Sequence, residues 1–528
     1  MKLSRPQALL LAATLLWGIV PVRLSAGTLY ETAQEIEGAI AAWDLDEATR
    51  LLHALPLHPD DPLFRYYAGR VAFYEARYEV VLEAYRDLDG LPPAFSEFVG
   101  YARRAATIAR DFHSVESEHF IFRYAPGKDA ILPELGLPVL EAALRQIGAD
   151  LAFSPDRPIV VEVYPSSESF ISVSSLSKAE VETSGTIAIC KFNRLMLTTP
   201  RALARGYNWL DTLSHELTHY ILVRKTGNRA PIWLQEGIAK FEEVRWRSER
   251  GGEISPALRS ILAQALTRDE FVPFSAMHPS FAKLKSQYEG QLAFGEVVML
   301  IDLLHARGGY PLLRRLLDEV ARGIDPIEAL AARGFPSRDL LALAKARIAE
   351  KGYRVDPRLA VLPRKLKDPE NTEEEEDTIP EITDERTARL ARLGDLLRDR
   401  GRYRAAIFEY RKAIGESHYF SPVLANKLAL AHQRNGETEE AERILRASLI
   451  RYPEFSTTLV RLGLLLVGKG EVEEAIDVLR RALSVNPFHP LVHEALVRCY
   501  EAQGDGKAAE KHRKILEILA ASSRPPTP

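Results

Sequence analysis

Two histidines and a glutamate in the stretch Ser214-His215-Glu216-Leu217-Thr218-His219 have the types and spacing that metal-assisted hydrolysis requires. From Trp209 to Val223 the sequence keeps helical periodicity, with no glycine or proline to break it. Residues four apart on a helix lie about 5–6 Å apart at their β-carbons, so the imidazoles of His215 and His219 can reach one ion. Glu216 then flanks the water that the ion would bind. With 13 histidines in 528 residues, such a pattern arises by chance in roughly 3% of chains, so a third ligand has to be found.

Catalytic zinc commonly takes two histidines and one glutamate, leaving a fourth position open to water. Pro231-Ile232-Trp233-Leu234-Gln235-Glu236-Gly237 supplies that carboxylate, because proline starts a new helix and Gly227-Asn228 can turn the chain before it. Antiparallel packing of the two helices would carry Glu236 to the histidines. Trp209, Trp233 and Phe241 have the helical spacing of residues that pack such a pair together. Asp211, one turn before His215, is a candidate to orient a ring nitrogen.

The string Trp-Leu-x-Glu-Gly-x-Ala after His-Glu-x-x-His resembles the gluzincin zinc metallopeptidases, in particular the bacterial MA-like peptidase family, over roughly residues 117–348. The resemblance implies an α+β zincin-like catalytic domain in which His215, His219 and Glu236 ligate Zn2+ and Glu216 is the base. It also implies an opening strand at Ser117–Tyr124, another at Pro158–Tyr164 and an edge strand at Thr183–Ile189 that pairs with an extended peptide substrate. Family members often place an oxyanion-stabilising tyrosine after the second motif helix. Here Phe294 stands near that place, and Tyr288 is the candidate donor.

The elements flanking this segment are repetitive. Gly401, Gly436, Gly470 and Gly504 recur at intervals of 34 or 35 residues, in step with Ala406, Ala441, Ala475 and Ala509 and with Pro453 and Pro487. Glycine permits the turn between paired helices, and the small residues allow close approach. This pattern resembles tetratricopeptide repeats and implies a surface for extended peptides or partner proteins. Near the N-terminus, Leu45-Asp46-Glu47-Ala48 and Tyr78-Glu79-Val80-Val81 are offset by 33, as two diverged repeats would be.

The predicted organisation is a signal peptide over 1–26, helical repeats over 27–114, the peptidase-like domain over 115–355, an acidic flexible linker over 356–385, repeats over 386–520 and a disordered tail over 521–528. The basic start, the apolar run from Ala8 to Val20 and Leu24-Ser25-Ala26 suggest export to a bacterial periplasm or exterior, with an uncleaved N-terminal membrane anchor as the alternative. No stable membrane span is expected after cleavage. A net charge of -4 gives no basic field for nucleic acid. Cys190 and Cys499 are expected to remain unpaired. Two function classes follow: a zinc peptidase acting on protein or peptide substrates, and a catalytically weak or inactive repeat scaffold or assembly factor of the cell envelope.

Overall fold

The computed structural model describes residues 26–522 except 175, 279, 336–338, 361 and 363–383. The signal-peptide residues 1–25, most of the acidic linker and the tail from 523 lie outside the described residues. Helices α1 (Ala26–Ala41), α2 (Leu45–Ala54), α3 (Pro62–Tyr74), α4 (Tyr78–Ala84) and α5 (Pro93–Ala109) come first. Asp44 and Asp61 cap α2 and α3, each accepting a backbone N–H of the first turn.

Five strands follow: β1 (His113–Glu116), β2 (Phe120–Tyr124), β3 (Ile159–Tyr164), β4 (Ala188–Lys191) and β5 (Arg194–Thr198). Between them run α6 (Leu132–Leu151), α7 (Ser167–Ser174) and α8 (Lys178–Ser184). The sheet order is β1-β2-β3-β5-β4, with β2, β3 and β5 parallel and both edges antiparallel. The edge strand begins at Ala188, later than the predicted Thr183–Ile189, because α8 runs to Ser184 and ends on Gly185 at φ +69°.

The remaining helices are α9 (Trp209–Thr226), α10 (Ile232–Glu242), α11 (Pro256–Arg268), α12 (Gln287–Ala321, kinked at Gly309), α13 (Pro326–Ala331) and α14 (Leu340–Lys351). Four hairpins complete the chain: α15 (Glu385–Asp399) with α16 (Tyr403–Glu416), α17 (Pro422–Arg434) with α18 (Thr438–Arg451), α19 (Ser456–Lys469) with α20 (Val472–Val485), and α21 (Pro490–Gln503) with α22 (Gly506–Ala521). Among the described residues no helix is long and apolar enough to cross a membrane. Both cysteines are free.

The sheet is covered on both faces. Phe120, Phe122, Val161 and Leu195 pack into a core with α6, α9, α10 and α12, while Tyr164 and Met196 pack against the N-terminal helices. That second interface holds a buried ion pair, Arg194 Nε to Glu162 Oε2 at 3.1 Å. Glu162 also accepts from the hydroxyls of Tyr78 and Tyr164, and Arg194 donates to the Phe73 carbonyl. Glu162 has several partners; Arg194 leaves Nε and Nη2 without a hydrogen bond and is held by the Glu162 charge and by the rings of Phe73, Tyr78 and Phe192.

The C-terminal repeats dock on the central domain. The indole of Trp209 donates to Leu483 O at 3.1 Å, Tyr207 N donates to Val485 O at 3.2 Å, and Asn208 Nδ2 donates to Glu454 Oε1 at 2.9 Å. Leu359 and Leu362 pack against Val423, Tyr452 and Phe455, and Phe420 N donates to Arg358 O. The start of the expected flexible linker is therefore held to the repeats, its leucines giving it apolar surface that the acidic stretch lacks.

In the last hairpin His493 and His512 face each other, Nδ1 to Nδ1 at 2.9 Å. Burial pushes them down to about 4 and about 3, helped at His493 by His489 and Lys511 and at His512 by His493, Lys511 and Arg480; the Pro487 carbonyl opposes the shift at His493.

Two measurements test these contacts. Gly206 sits at φ +67°, and a β-carbon there would lie 2.2 Å from Val485 O; Gly206→Ala is expected to cost on the order of 2 kcal/mol by calorimetry, with the repeats released first. The folded histidine pair titrates below the ordinary value near 6.5, so its stability contribution is complete above that pH and is lost as pH falls toward 4. The melting temperature of the repeats should drop over that window, and less steeply in His512→Phe.

Candidate metal centre

Helix α9 is capped by Asn208, whose side chain accepts from Asp211 N, and it ends on Gly227 in the left-handed conformation. Asn228 follows at φ +60°, so two consecutive residues of positive φ reverse the chain into α10. The close approach of α10 to α12 requires Gly237, where a β-carbon would lie 3.0 Å from Val297 O.

This packing brings the three expected ligands together. His215 Nε2 and His219 Nε2 are 3.2 Å apart, and Glu236 Oε2 is 3.4 Å from each. A tetrahedral ion with bonds near 2.0–2.1 Å separates its ligand atoms by about 3.3–3.4 Å, so the triangle has the right size for zinc. Among the described residues, this is the group of histidine, cysteine, aspartate and glutamate side chains placed to hold a metal ion.

The electrostatics agree with the geometry. Burial opposes charge on His215, but the carboxylates of Glu236, Glu243 and Glu216 override it and push it up to about 10. Burial works to raise Glu236, yet His219 and His215 hold it well below the usual carboxylate range. The cluster thus demands positive charge. Glu216 is raised by burial, with His219 and His215 opposing, and it accepts the backbone N–H of Cys190 on edge strand β4. The candidate base therefore lies against that edge strand.

Asp211 does not orient a histidine: it accepts from Trp246 Nε1 at 2.8 Å and from Arg247 Nε at 3.0 Å and Nη2 at 2.8 Å. That role falls to Glu243, whose Oε2 lies 3.3 Å from His215 Nδ1 and whose other oxygen accepts from Lys240 Nζ. Glu243 stands seven residues after Glu236, two turns along and on the same face, a signal readable in the sequence. On α12 the residues lining the cleft are Gln287, Gly290, Gln291 and Phe294, and the Phe294 ring centroid is 6.2 Å from that of His215. Tyr288 is 38% exposed, outside that lining, with Glu270 and Arg268 as its charged neighbours.

The candidate ligand cluster opens on a cleft of about 2130 Å³, beyond the roughly 300–1,000 Å³ of small-molecule pockets. Edge strand β4 forms part of its lining, as do Arg480, Ser484, Tyr500 and Lys511 from the repeats.

The tetratricopeptide repeat family model matches residues 391–454, 426–484 and 460–516, so the C-terminal hairpins are tetratricopeptide repeats, a module for protein interaction. Among solved structures the chain is similar to MamA, 18% identical over 28% of this chain and 84% of that one, TM-score 0.23. It is similar to the Sgt2 TPR domain from Aspergillus fumigatus, 19% identical over 28% and 88%, TM-score 0.19. A third is the APC/C hetero-tetramer Cut9-Hcn1, 10% identical over 94% and 80%, TM-score 0.26.

Removing the carboxylate behind His215 tests the geometry. Glu243→Ala is expected to weaken zinc binding by about 10–100-fold, measured by competition with a chromogenic chelator, with the fold unchanged by circular dichroism. Affinity equal to the parent chain's would remove Glu243 from this role.

Proposed function

We propose that this chain is an exported zinc-dependent peptidase of the gluzincin type, built on an α+β zincin-like domain and flanked by tetratricopeptide repeats. The observation that carries the reading is the meeting of His215, His219 and Glu236 at 3.2–3.4 Å beside the buried Glu216, in a cleft bounded by a sheet edge. The donor set fits Zn2+, which when bound supplies a polarising charge for a scissile carbonyl and for a water molecule.

The chain's own residues do the rest. Glu216, raised by its burial, takes a proton from the attacking water and delivers it to the leaving amine. Among the described residues strand β4 pairs with β5 on one side only, so its outer edge can align an extended peptide through backbone hydrogen bonds. The cleft volume suits a chain segment rather than a metabolite. Tyr288 lies outside the cleft lining and Phe294 stands beside His215 without a phenolic hydroxyl, so turnover is expected to be slow.

The family match favours a second reading, a tetratricopeptide scaffold that binds partners without cutting them, and the comparisons back it better than the peptidase. The two readings separate at Glu216. The wild-type chain is expected to hold about one zinc and to cleave casein or a broad peptide library. Glu216→Gln should keep the metal and lose about 10²–10⁴-fold in turnover, and Glu236→Ala should lose the metal. Zinc with no cleavage of any peptide establishes the scaffold, and a chain that takes up no zinc removes the peptidase reading.

A further inference from the structure

The repeat-side wall of the cleft carries two cations, Lys511 and Arg480, that make no direct contact with a carboxylate among the described residues. Lys511 on α22 is half-buried and lines the cleft, and among the described residues its ammonium has no hydrogen bond or ion pair. Arg480 on α20 lines the same cleft and likewise has neither. The two are near enough to act on each other: burial lowers Lys511 from its ordinary value, Glu134 opposes, and Arg480 adds a smaller lowering.

The nearby carboxylates are engaged or do not pair. Glu134 accepts from Lys514 Nζ at 2.5 Å, and Asp505 caps α22 by accepting from Ala508 N at 3.0 Å. Asp477 lies three residues before Arg480 on α20, exposed to solvent, and forms no ion pair with it. Asp477 and Asp505 line the cleft with the two cations and act, like Arg480, on the Tyr500 hydroxyl. The Tyr500 ring stacks on His512 at 6° and 5.7 Å, and His512 stays uncharged at neutral pH.

A half-buried ammonium with no direct hydrogen-bonded partner is costly, and an incoming carboxylate would relieve it through charge-assisted hydrogen bonds. An arginine beside it adds planar donors that match a carboxylate's two oxygens. We propose that Arg480 and Lys511 form a carboxylate subsite in the metal cleft, which holds an acidic side chain or the C-terminal carboxylate of a bound peptide. This deepens the proposed function, since it rests on the cleft being a peptide site and assigns the repeats a part in selecting what enters.

The test is calorimetric titration of the full chain carrying Glu216→Gln, at low ionic strength, with four decapeptides of one uncharged sequence. One ends in a free carboxylate and one in an amide; two further amides carry a single internal glutamate or glutamine. The expected result is about tenfold tighter binding of a carboxylate-bearing peptide than of its neutral counterpart. The advantage should shrink with added salt, disappear in Lys511→Ala and in Arg480→Ala, and persist in Lys511→Arg. The peptide that shows it tells an acidic side chain from a chain end. Equal binding of all four, no binding, or an advantage unchanged in both alanine variants overturns the proposal. Turnover by the wild-type chain is scored separately: a carboxylate preference without cleavage leaves the subsite standing and removes the peptidase, and cleavage without the preference does the reverse.

Discussion

The architecture depends on one electrostatic constraint, the convergence of three electron-rich atoms in a nearly dry interior. His215 Nε2, His219 Nε2 and Glu236 Oε2 lie within 3.4 Å of one another, an arrangement that repels itself unless a proton or a metal ion sits at its centre. Without a metal, the demand appears as a His215 that holds its proton to about 10. Helical spacing alone fixes the two imidazoles; the carboxylate needs the reversal at Gly227-Asn228 and the missing side chain at Gly237. Glu243 adds a further negative group behind His215, which steadies the ring and increases the pull for a cation.

The layers around this point keep it from relaxing. The sheet is pinned between the metal helices and the N-terminal hairpins, with Arg194 and Glu162 as its buried fastening on the far side. On the near side the repeats grip the start of α9 through the Trp209 indole and the backbone of Tyr207. The helix carrying His215 is thus held at its N-terminal end by the repeat stack. The repeats are part of the cleft rather than an arm trailing from it, so removing residues 387–528 would strip a wall of the site along with any recruiting surface.

Legibility in the sequence followed periodicity. The metal helix, its glutamate helix and the C-terminal hairpins were readable because their signals repeat every 3.6 or 34 residues and depend on local chemistry. Tertiary choices were not. Asp211 stood at a plausible spacing from His215, but Trp246 and Arg247 claim it, and Glu243 takes the role from the other helix. The edge strand was placed too early because the resemblance carried it back to Thr183 and Ser184, which fall in a helix that a Ser177–Glu180 capping box begins. Tyr288 sits on the right helix but off the cleft-lining face, a rotation that depends on how α12 packs. The docking of residues 356–360 and 362 was hidden by the acidic run that follows them.

The choice between peptidase and scaffold turns on what burial costs. A repeat scaffold needs an apolar and hydrogen-bonding surface, and the hairpins supply that without the central domain. Glu216 is 6% exposed and raised above the ordinary carboxylate value, so its presence in that interior destabilises the fold relative to an apolar residue of similar size. Glu242, next to Glu243, is likewise pushed up to about 8 by burial and by Asp150, with one oxygen unpartnered. Binding alone does not call for a buried carboxylate beside three convergent ligand atoms. The proposed peptidase would use a buried carboxylate there to accept and release a proton. The burial cost at Glu216 is what the proposed proton transfer would use, and what a scaffold would carry without return.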